Sequence, residues 1–186
     1  MNKNLKQTKS ELLTLIIIFF VICMISGSTR INPMLQLLEP EILEGARISA
    51  YLSLAFNSIF YIVILILTFY FSSFLTQYSK DEKYFSIFLE ASSAFVLSLC
   101  IFEVFGVALT FTLFEDSLQN ITDIHLITEQ IKESIWWKYN RILSLLNVTI
   151  SSLVFFFFCY NKKLSIKKIF LISIIIFTVN LCLKLF

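Results

Sequence analysis

The stretch AYLSLAFNSIFYIVILILTFYFSSFL, residues Ala50 to Leu75, decides the fold class of this 186-residue chain. None of its 26 residues is charged. An α-helix rises about 1.5 Å per residue, so about 20 apolar residues are enough to cross about 30 Å of hydrocarbon. A segment of this length and composition predicts a transmembrane helix.

Four other apolar stretches lie around this one and are separated from it and from each other by short charged segments. The composition is 58% hydrophobic, with 21 Phe but only 3 Gly and 2 Pro, and a soluble domain of this kind would aggregate. We therefore expect an all-α fold, a polytopic transmembrane helical bundle in which residues 1–186 form a single membrane domain. The predicted spans cover about residues 11–27, 50–75, 85–114, 140–160 and 167–186.

The chain lacks the motifs that identify common enzymatic mechanisms. It has no Gly-rich phosphate loop, no GxSxG and no HExxH. His125 is the only histidine and has no cysteine near it, which favours a solvated loop residue over a zinc ligand. The four cysteines lie inside or at the ends of apolar stretches without metal-binding or redox spacing, which indicates small buried hydrophobes. We expect a protein without enzymatic activity, cofactor, metal or nucleic-acid partner.

The distribution of basic residues predicts the orientation of the five spans. With the N-terminus in the cytoplasm, the inside segments hold nine basic residues and the outside segments hold six. Cytoplasmic loops carry the excess of Lys and Arg, so we expect a multi-pass protein of the cell membrane with a cytoplasmic N-terminus. The inside set is Lys3, Lys6, Lys9, Lys80, Lys83, Lys162, Lys163, Lys167 and Lys168, and the outside set is Arg30, Arg47, Lys132, Lys138, Arg141 and Lys184.

The N-terminal segment also imitates a secretory signal peptide. Three lysines precede the apolar run Leu12 to Ile25, and the small residues Ser26-Gly27-Ser28 follow it. We favour an uncleaved first span. Cleavage is the alternative, and it would leave four spans in the same orientation.

Glu103 is the most costly residue inside a predicted span. A carboxylate near the middle of a transmembrane helix is unfavourable by about 2.5–3.5 kcal/mol and usually faces a partner. Glu103 falls near the depth of Asn57 and Asn147, with Arg141 above them, so these four residues form a candidate intramembrane polar cluster. The cluster has three interpretations: a structural contact between helices, a contact with a partner or ligand, and proton-coupled chemistry.

Several other patterns predict local packing. Gly106, close to Glu103, is a candidate for close helix approach. Residues 34–48 and 121–135 each carry apolar residues at helical spacing, which predicts short interfacial helices. The aromatic residues at 136, 137 and 139 predict a belt at the headgroup level. The run Phe155 to Phe158 and the last span are predicted to face lipid.

The order of features resembles that of the bacterial Yip-type five-span membrane proteins. The features are Asn32-Pro33, a charge-free span, FLEASSAFVLSLCIFEVFGVAL (Phe88 to Leu109), a polar loop, WWKYNRILSLLNVTISSLVFF (Trp136 to Phe156) and the turn NKKLSIKKIF (Asn161 to Phe170) before a terminal span. The resemblance implies a non-enzymatic membrane partner, in bacteria sometimes associated with ABC exporters that protect against peptide toxins. It implies no catalytic residues.

These observations lead to one expected function and two alternatives. We expect an accessory, assembly or immunity-type partner of another membrane protein, and we favour an ABC-type exporter as that protein. The first alternative is a small-solute transporter or a substrate-binding membrane subunit, which requires an accessible cavity lined by the polar cluster. The second is an intramembrane enzyme, which requires at least two converging acid–base or metal-binding groups.

Overall fold

A computed structural model describes residues 3–36, 38, 40–119 and 127–185. In these ranges the chain is helical throughout apart from short turns, and it contains no strand. The all-α prediction is therefore confirmed. The six helices are α1 Lys3–Leu35, α2 Pro40–Leu75, α3 Glu82–Gln119, α4 Ile127–Glu133, α5 Ile135–Asn161 and α6 Ile166–Leu185, with a short 3₁₀ turn at Tyr78–Lys80.

Five of these helices are long and apolar enough to cross a membrane, which confirms the number of spans. Each begins before its predicted start, because hydropathy marks only the part that matches hydrocarbon whereas backbone hydrogen bonding continues into polar flanks. The chain is thus a multi-pass membrane protein by length and composition. The spans are Leu5–Leu35, Pro40–Leu75, Glu82–Phe114, Ile135–Asn161 and Ile166–Lys184.

The five long helices form a closed ring. α3 packs most extensively against α1 and α5, α6 packs against α5, and α2 closes the ring between α1 and α6. Helices α2 and α3, although consecutive in the sequence, share little contact. Large apolar side chains cover the outer surface of the ring, among them Phe60 on α2, Phe105 on α3 and Phe170 on α6. Such a surface suits contact with lipid acyl chains.

Aromatic side chains fill the interior of the ring toward the end that holds the 3₁₀ turn. Phe69 of α2 lies edge-on to Phe88 and Phe95 of α3, with ring centroids 6.4 and 5.8 Å apart. Phe155 of α5 contacts Phe88 in the same way, at 5.7 Å. These edge-to-face contacts join α2, α3 and α5 although α2 and α3 barely touch elsewhere.

The prediction that residues 155–158 and the last span face lipid is wrong in part. Phe155 is fully buried while Phe157 is 55% exposed. Ile169, Ile172 and Ile176 of α6 are also fully buried. Both segments are apolar on all sides, so composition does not show which face packs against neighbouring helices.

The opposite end of the bundle, called here the α4 end, has its own apolar cluster. It consists of Phe114, Ile131 and Trp136, with Met34 and Trp137 among the residues packed against it. The Trp136 ring lies 4.5 Å from that of Phe114, and its Nε1 donates a hydrogen bond to Thr110 Oγ1 at 3.3 Å. Trp136 is therefore an interior residue and not part of the predicted headgroup belt.

The two predicted interfacial helices have different outcomes. Residues 40–48 belong to the continuous helix α2, so the separate helix predicted at 34–48 is wrong. Pro40 occupies the first position of α2, where proline begins a helix without losing a hydrogen bond. In the second segment, α4 covers 127–133 and buries Ile131, while residues 121–126 lie outside the described part of the chain.

A lysine ties together the turns at the 3₁₀ end. Lys168 of α6 donates a hydrogen bond to the carbonyl of Thr76 at 2.7 Å, and its ammonium lies 5.4 Å from the centre of the Tyr78 ring. Burial raises the pKa of the Tyr78 hydroxyl to about 12, so this tyrosine stays neutral at physiological pH. The α2–α3 turn is thereby anchored to the start of the last span.

Gly27 of α1 marks the closest approach to α2. A Cβ placed there would lie 2.7 Å from Leu54 Cδ2 and closer still to Cδ1, whereas a Cβ at Gly106 would meet only Leu143 Cδ2, at 3.8 Å. The sequence therefore indicated the wrong glycine. Small residues at helix interfaces allow this kind of backbone approach in membranes.

We expect Gly27→Ala to be less stable than Gly106→Ala by about 1 kcal/mol, because the side chain of Leu54 must move to accept the methyl group at position 27 whereas there is room for the one at position 106. Gly106→Ala is the matched control and should change the stability by less than about 1 kcal/mol. Equilibrium unfolding of both variants in mixed micelles measures the difference. Equal stabilities of the two variants would contradict the packing described at Gly27.

Candidate functional site: a polar cavity between the spans

Glu103 of α3 forms an ion pair with Lys184 of α6, its Oε1 accepting a hydrogen bond from the lysine Nζ. The carboxylate side chain is 9% exposed and the lysine side chain 20%. Lys184 lies in the last turn of α6, where a cation also interacts favourably with the helix dipole. Its long apolar stem allows the ammonium to reach a carboxylate on a different helix.

The N-terminal span contributes a second cation beside this pair. Arg30 of α1 donates a hydrogen bond from Nη2 to Ser26 Oγ at 2.6 Å, one helical turn earlier. Its charge acts on the Glu103 carboxylate together with that of Lys184. Arg30 Nε is buried and has no hydrogen-bond partner within the described residues. One carboxylate is thus surrounded by two cations.

On the side of α5, Asn147 is buried and belongs to a small hydroxyl–amide network. Ser151 Oγ lies 3.2 Å from Asn147 Oδ1 and 2.9 Å from Ser98 Oγ of α3. These contacts join α3 and α5 beneath the ion pair. Buried polar groups that are hydrogen-bonded across helices contribute about 0.6 kcal/mol each in membranes.

A polar bond also connects α2 with α6. The Tyr61 hydroxyl donates a hydrogen bond to Asn180 Oδ1 at 2.7 Å, and Asn180 Nδ2 donates one to the Ile176 carbonyl at 2.8 Å. The Lys184 ammonium lies 5.7 Å from the centre of the Tyr61 ring, within the range of a cation–π contact. Tyr61 therefore helps to position the lysine that pairs with Glu103.

Arg30, Glu103, Asn147 and Lys184 line a cavity of about 250 Å³ near the α4 end of the bundle. A second space of about 270 Å³ adjoins it and shares Trp137, Asn140, Ser144 and Lys184 with it. We refer to the first as the polar cavity. Its charged and polar lining consists of Arg30, Glu103, Asn140, Ser144, Asn147 and Lys184.

The structure brings together part of the predicted polar cluster. Glu103 and Asn147 line the polar cavity, and Arg141 lines the adjoining space. Asn57 lines neither, because it is exposed on the outer surface of α2. Glu103 pairs with Lys184, a residue that the predicted cluster did not include.

Sequence reasoning missed the other groups around the cavity for identifiable reasons. Arg30 and Lys184 lie near predicted span ends, where Lys and Arg are common. Only the side of the helix on which each one lies distinguishes it from other basic residues at span ends. Tyr61 and Asn180 gave a weak signal, as polar residues inside otherwise apolar spans. Depth alone placed Asn57 with the cluster, but the side of the helix decides whether a residue faces the interior.

Comparisons of the chain with protein-family models, curated proteins and solved structures found no match. The resemblance to Yip-type proteins accordingly stays a prediction.

The cavity is a charged pocket. It has a single carboxylate, which is held by a lysine, and the neutral donors Asn140 and Ser144 lie one turn apart on α5. In the described ranges, no three His, Cys, Asp or Glu side chains come together in a metal-binding group. Cys100 and Cys159 are buried as predicted, Cys23 is half-buried and Cys182 is exposed on the outer surface.

Proposed function

We propose that this chain is a non-enzymatic integral membrane protein that acts by binding another membrane protein. The observation that carries the proposal is an unpartnered stripe of small and polar residues on the outer surface of α2. Gly45, Ser49, Ser53 and Asn57 recur every four residues, and all four are exposed. We call this set the α2 stripe.

Asn57 gives the α2 stripe its significance. It is the eighth residue of the charge-free stretch Ala50 to Leu75, so its amide falls within the hydrocarbon region of the bilayer. It makes no hydrogen bond with another side chain in the part of the chain that the structure describes, and a polar group facing hydrocarbon without a partner is unfavourable. A helix from another protein would supply that partner.

The shape of α2 also suits a docked helix. Ile48, Leu52 and Phe56 form a parallel ridge of large exposed side chains beside the α2 stripe. A Cβ at Gly45 would have no atom of this chain within 4 Å. Small residues beside such a ridge allow close backbone approach, which drives association of transmembrane helices through packing.

The finer form of the proposal names the partner as an ABC-type exporter or a component of toxin resistance. It is supported by the resemblance to Yip-type proteins, which implies this kind of partner. The distribution of basic residues further supports a location in the cell membrane with a cytoplasmic N-terminus. The α4 end and the polar cavity then lie toward the outside.

A second candidate is a small-solute transporter or a substrate-binding membrane subunit. The polar cavity favours it, because Glu103, Asn147 and Lys184 line a space large enough for a small molecule. Solute uptake into vesicles containing the purified chain alone would support this candidate. A strict partner protein would show no such uptake.

Photo-cross-linking from the α2 stripe tests the partner proposal. A benzoylphenylalanine introduced at Ser53, in the cell that makes this protein, should give a discrete adduct with another membrane protein. The matched control is the same group at Phe170, which is 60% exposed on α6 and lies outside the stripe. A second change, Gly45→Leu, should reduce the yield of the Ser53 adduct, because the larger side chain fills the space that the small residues of the α2 stripe leave beside the ridge.

The identity of the cross-linked protein decides between the general proposal, any membrane-protein partner, and its finer form, an exporter or toxin-resistance component. An exporter subunit supports the finer form, and a different membrane protein that depends on Gly45 supports the general one. Equal labelling from Ser53 and Phe170, or a lipid adduct alone at Ser53, would contradict the partner role. An adduct of two copies of this chain would replace it with self-association.

A further inference from the structure

We propose that the polar cavity binds a small oxyanion, a carboxylate or a phosphate, and that Arg30 is its principal ligand. The site shares no residue with the α2 stripe, so this proposal and the partner role can fail separately. It names a ligand class for the cavity and requires no second protein.

The charges around the cavity leave Arg30 without an ion pair of its own, although its charge acts on the nearby Glu103 carboxylate. Glu103 is engaged by Lys184, and neither of the ion pairs formed by the described residues includes Arg30. Two cations and one carboxylate give the cavity a net positive charge. A buried or half-buried excess charge is costly, and a bound anion would neutralise it.

The donors of Arg30 are also incompletely used. Nη2 donates to Ser26 Oγ, but Nε is buried with no partner among the described residues. A guanidinium presents its N–H groups in a rigid planar fork that matches the two oxygens of a carboxylate or phosphate. An oxyanion in the cavity would pair with the guanidinium of Arg30, which makes no ion pair with the carboxylates of the described residues.

Neutral donors on α5 complete the site. Asn140 and Ser144 line the cavity, and neither side chain hydrogen-bonds with another in the described part of the chain. They lie one turn apart on the same helix face, Arg30 lines the same cavity, and Trp137 adds an aromatic wall. An anion with a small ring or alkyl group would therefore meet a charged side, a polar side and an apolar side.

The size of the cavity limits the ligand. About 250 Å³ lies at the lower end of the range for ligand pockets, so the space suits a small organic anion or one headgroup and not a peptide. The oxyanion has two possible sources, a soluble anion and the headgroup of an anionic lipid. Arg30 would recognise either through the same chemistry.

Binding of benzoate to the purified full chain tests the proposal. In maltoside micelles, which carry no charge, benzoate should raise the unfolding midpoint and bind in calorimetry, whereas the isosteric neutral benzamide should do neither. Arg30→Gln should weaken benzoate binding at least tenfold, and Arg30→Lys should weaken it less because the charge is kept. Lys162→Gln, which removes a cation paired with Glu90 elsewhere on the bundle, is the control for net charge.

Lipid nanodiscs then distinguish the two sources. Benzoate binding that persists in discs with phosphatidylglycerol assigns the site to a soluble anion. Binding seen in phosphatidylcholine discs but lost with phosphatidylglycerol assigns the site to a lipid headgroup.

Three results would overturn the proposal. They are equal binding of benzoate and benzamide, no anion binding by the unaltered protein, and equal affinities of Arg30→Gln and Lys162→Gln for benzoate. If Arg30→Gln does not fold, Asn140→Ala should still weaken benzoate binding, and an unchanged affinity would count against the site.

Discussion

We expect Lys184→Met to lower the free energy of unfolding by about 3 kcal/mol, because it leaves the Glu103 carboxylate in the bundle without its lysine. Glu103→Leu should cost less, about 1–2 kcal/mol, since Lys184 lies in the last turn of α6 and its ammonium can move toward the membrane surface. Equilibrium unfolding in mixed micelles, followed by the loss of helical circular dichroism, measures both values.

The double variant Glu103→Leu/Lys184→Met is the control for this prediction. An apolar pair leaves no unpaired charge at positions 103 and 184, and only the weaker interaction of Arg30 with Glu103 is lost, so the double variant should recover stability to within about 1 kcal/mol of the unaltered chain. Glu103→Gln keeps the volume and an oxygen for Lys184, and it should be more stable than Glu103→Leu. Additive losses in the double variant would show that the two side chains do not interact.

Phe155→Ala should destabilise the bundle by about 3 kcal/mol, because it removes a fully buried ring that contacts Phe88 and leaves a cavity among α2, α3 and α5. Phe157→Ala is the matched control, two residues away on the same helix. Its ring is 55% exposed on the outer surface, so the loss should stay below about 1 kcal/mol.

The same unfolding assay separates these two variants. A large loss for Phe155→Ala alone would support the packing of α5 that the structure describes. Similar losses for both, or a greater loss for Phe157→Ala, would mean that the opposite face of α5 packs against the bundle.

The sequence predicted the class of the fold because length and apolarity are properties of a whole segment. The stretch Ala50 to Leu75 has no charge over 26 residues, and few alternatives to a membrane span exist for it. Rotation of each span about its own axis was not predictable in the same way. Phe155 and Phe157 have identical side chains, and only the neighbouring helices determine which one is buried.

The candidate site was predictable where a residue was anomalous in its own span. Glu103 and Asn147 stand out in apolar surroundings, and both line the polar cavity. Lys184 and Arg30 have the residue types expected at span ends, so their roles emerge only when α1, α3 and α6 are brought together. Asn57 is the opposite case. It was predicted to join the cluster because it lies near the depth of Glu103, but it lies on the outer face of α2.

Glycine illustrates the same limit. Gly106 seemed the better candidate for close approach because it lies near Glu103, yet Gly27 is the glycine whose missing Cβ makes room for Leu54. Proximity along one helix gives no information about the distance to the next one.

Accessibility of introduced cysteines tests the central claim, a five-span protein whose α4 end faces outward, most directly. With the four native cysteines replaced, single cysteines at Lys80, Lys132 and Lys163 sample the α2–α3 turn, helix α4 and the α5–α6 turn. In intact cells, an impermeant maleimide should label the cysteine at 132 and should reach those at 80 and 163 only after permeabilisation. Labelling at 80 and 163 with protection at 132 would show the orientation to be inverted, and labelling of all three in intact cells would contradict the five membrane crossings.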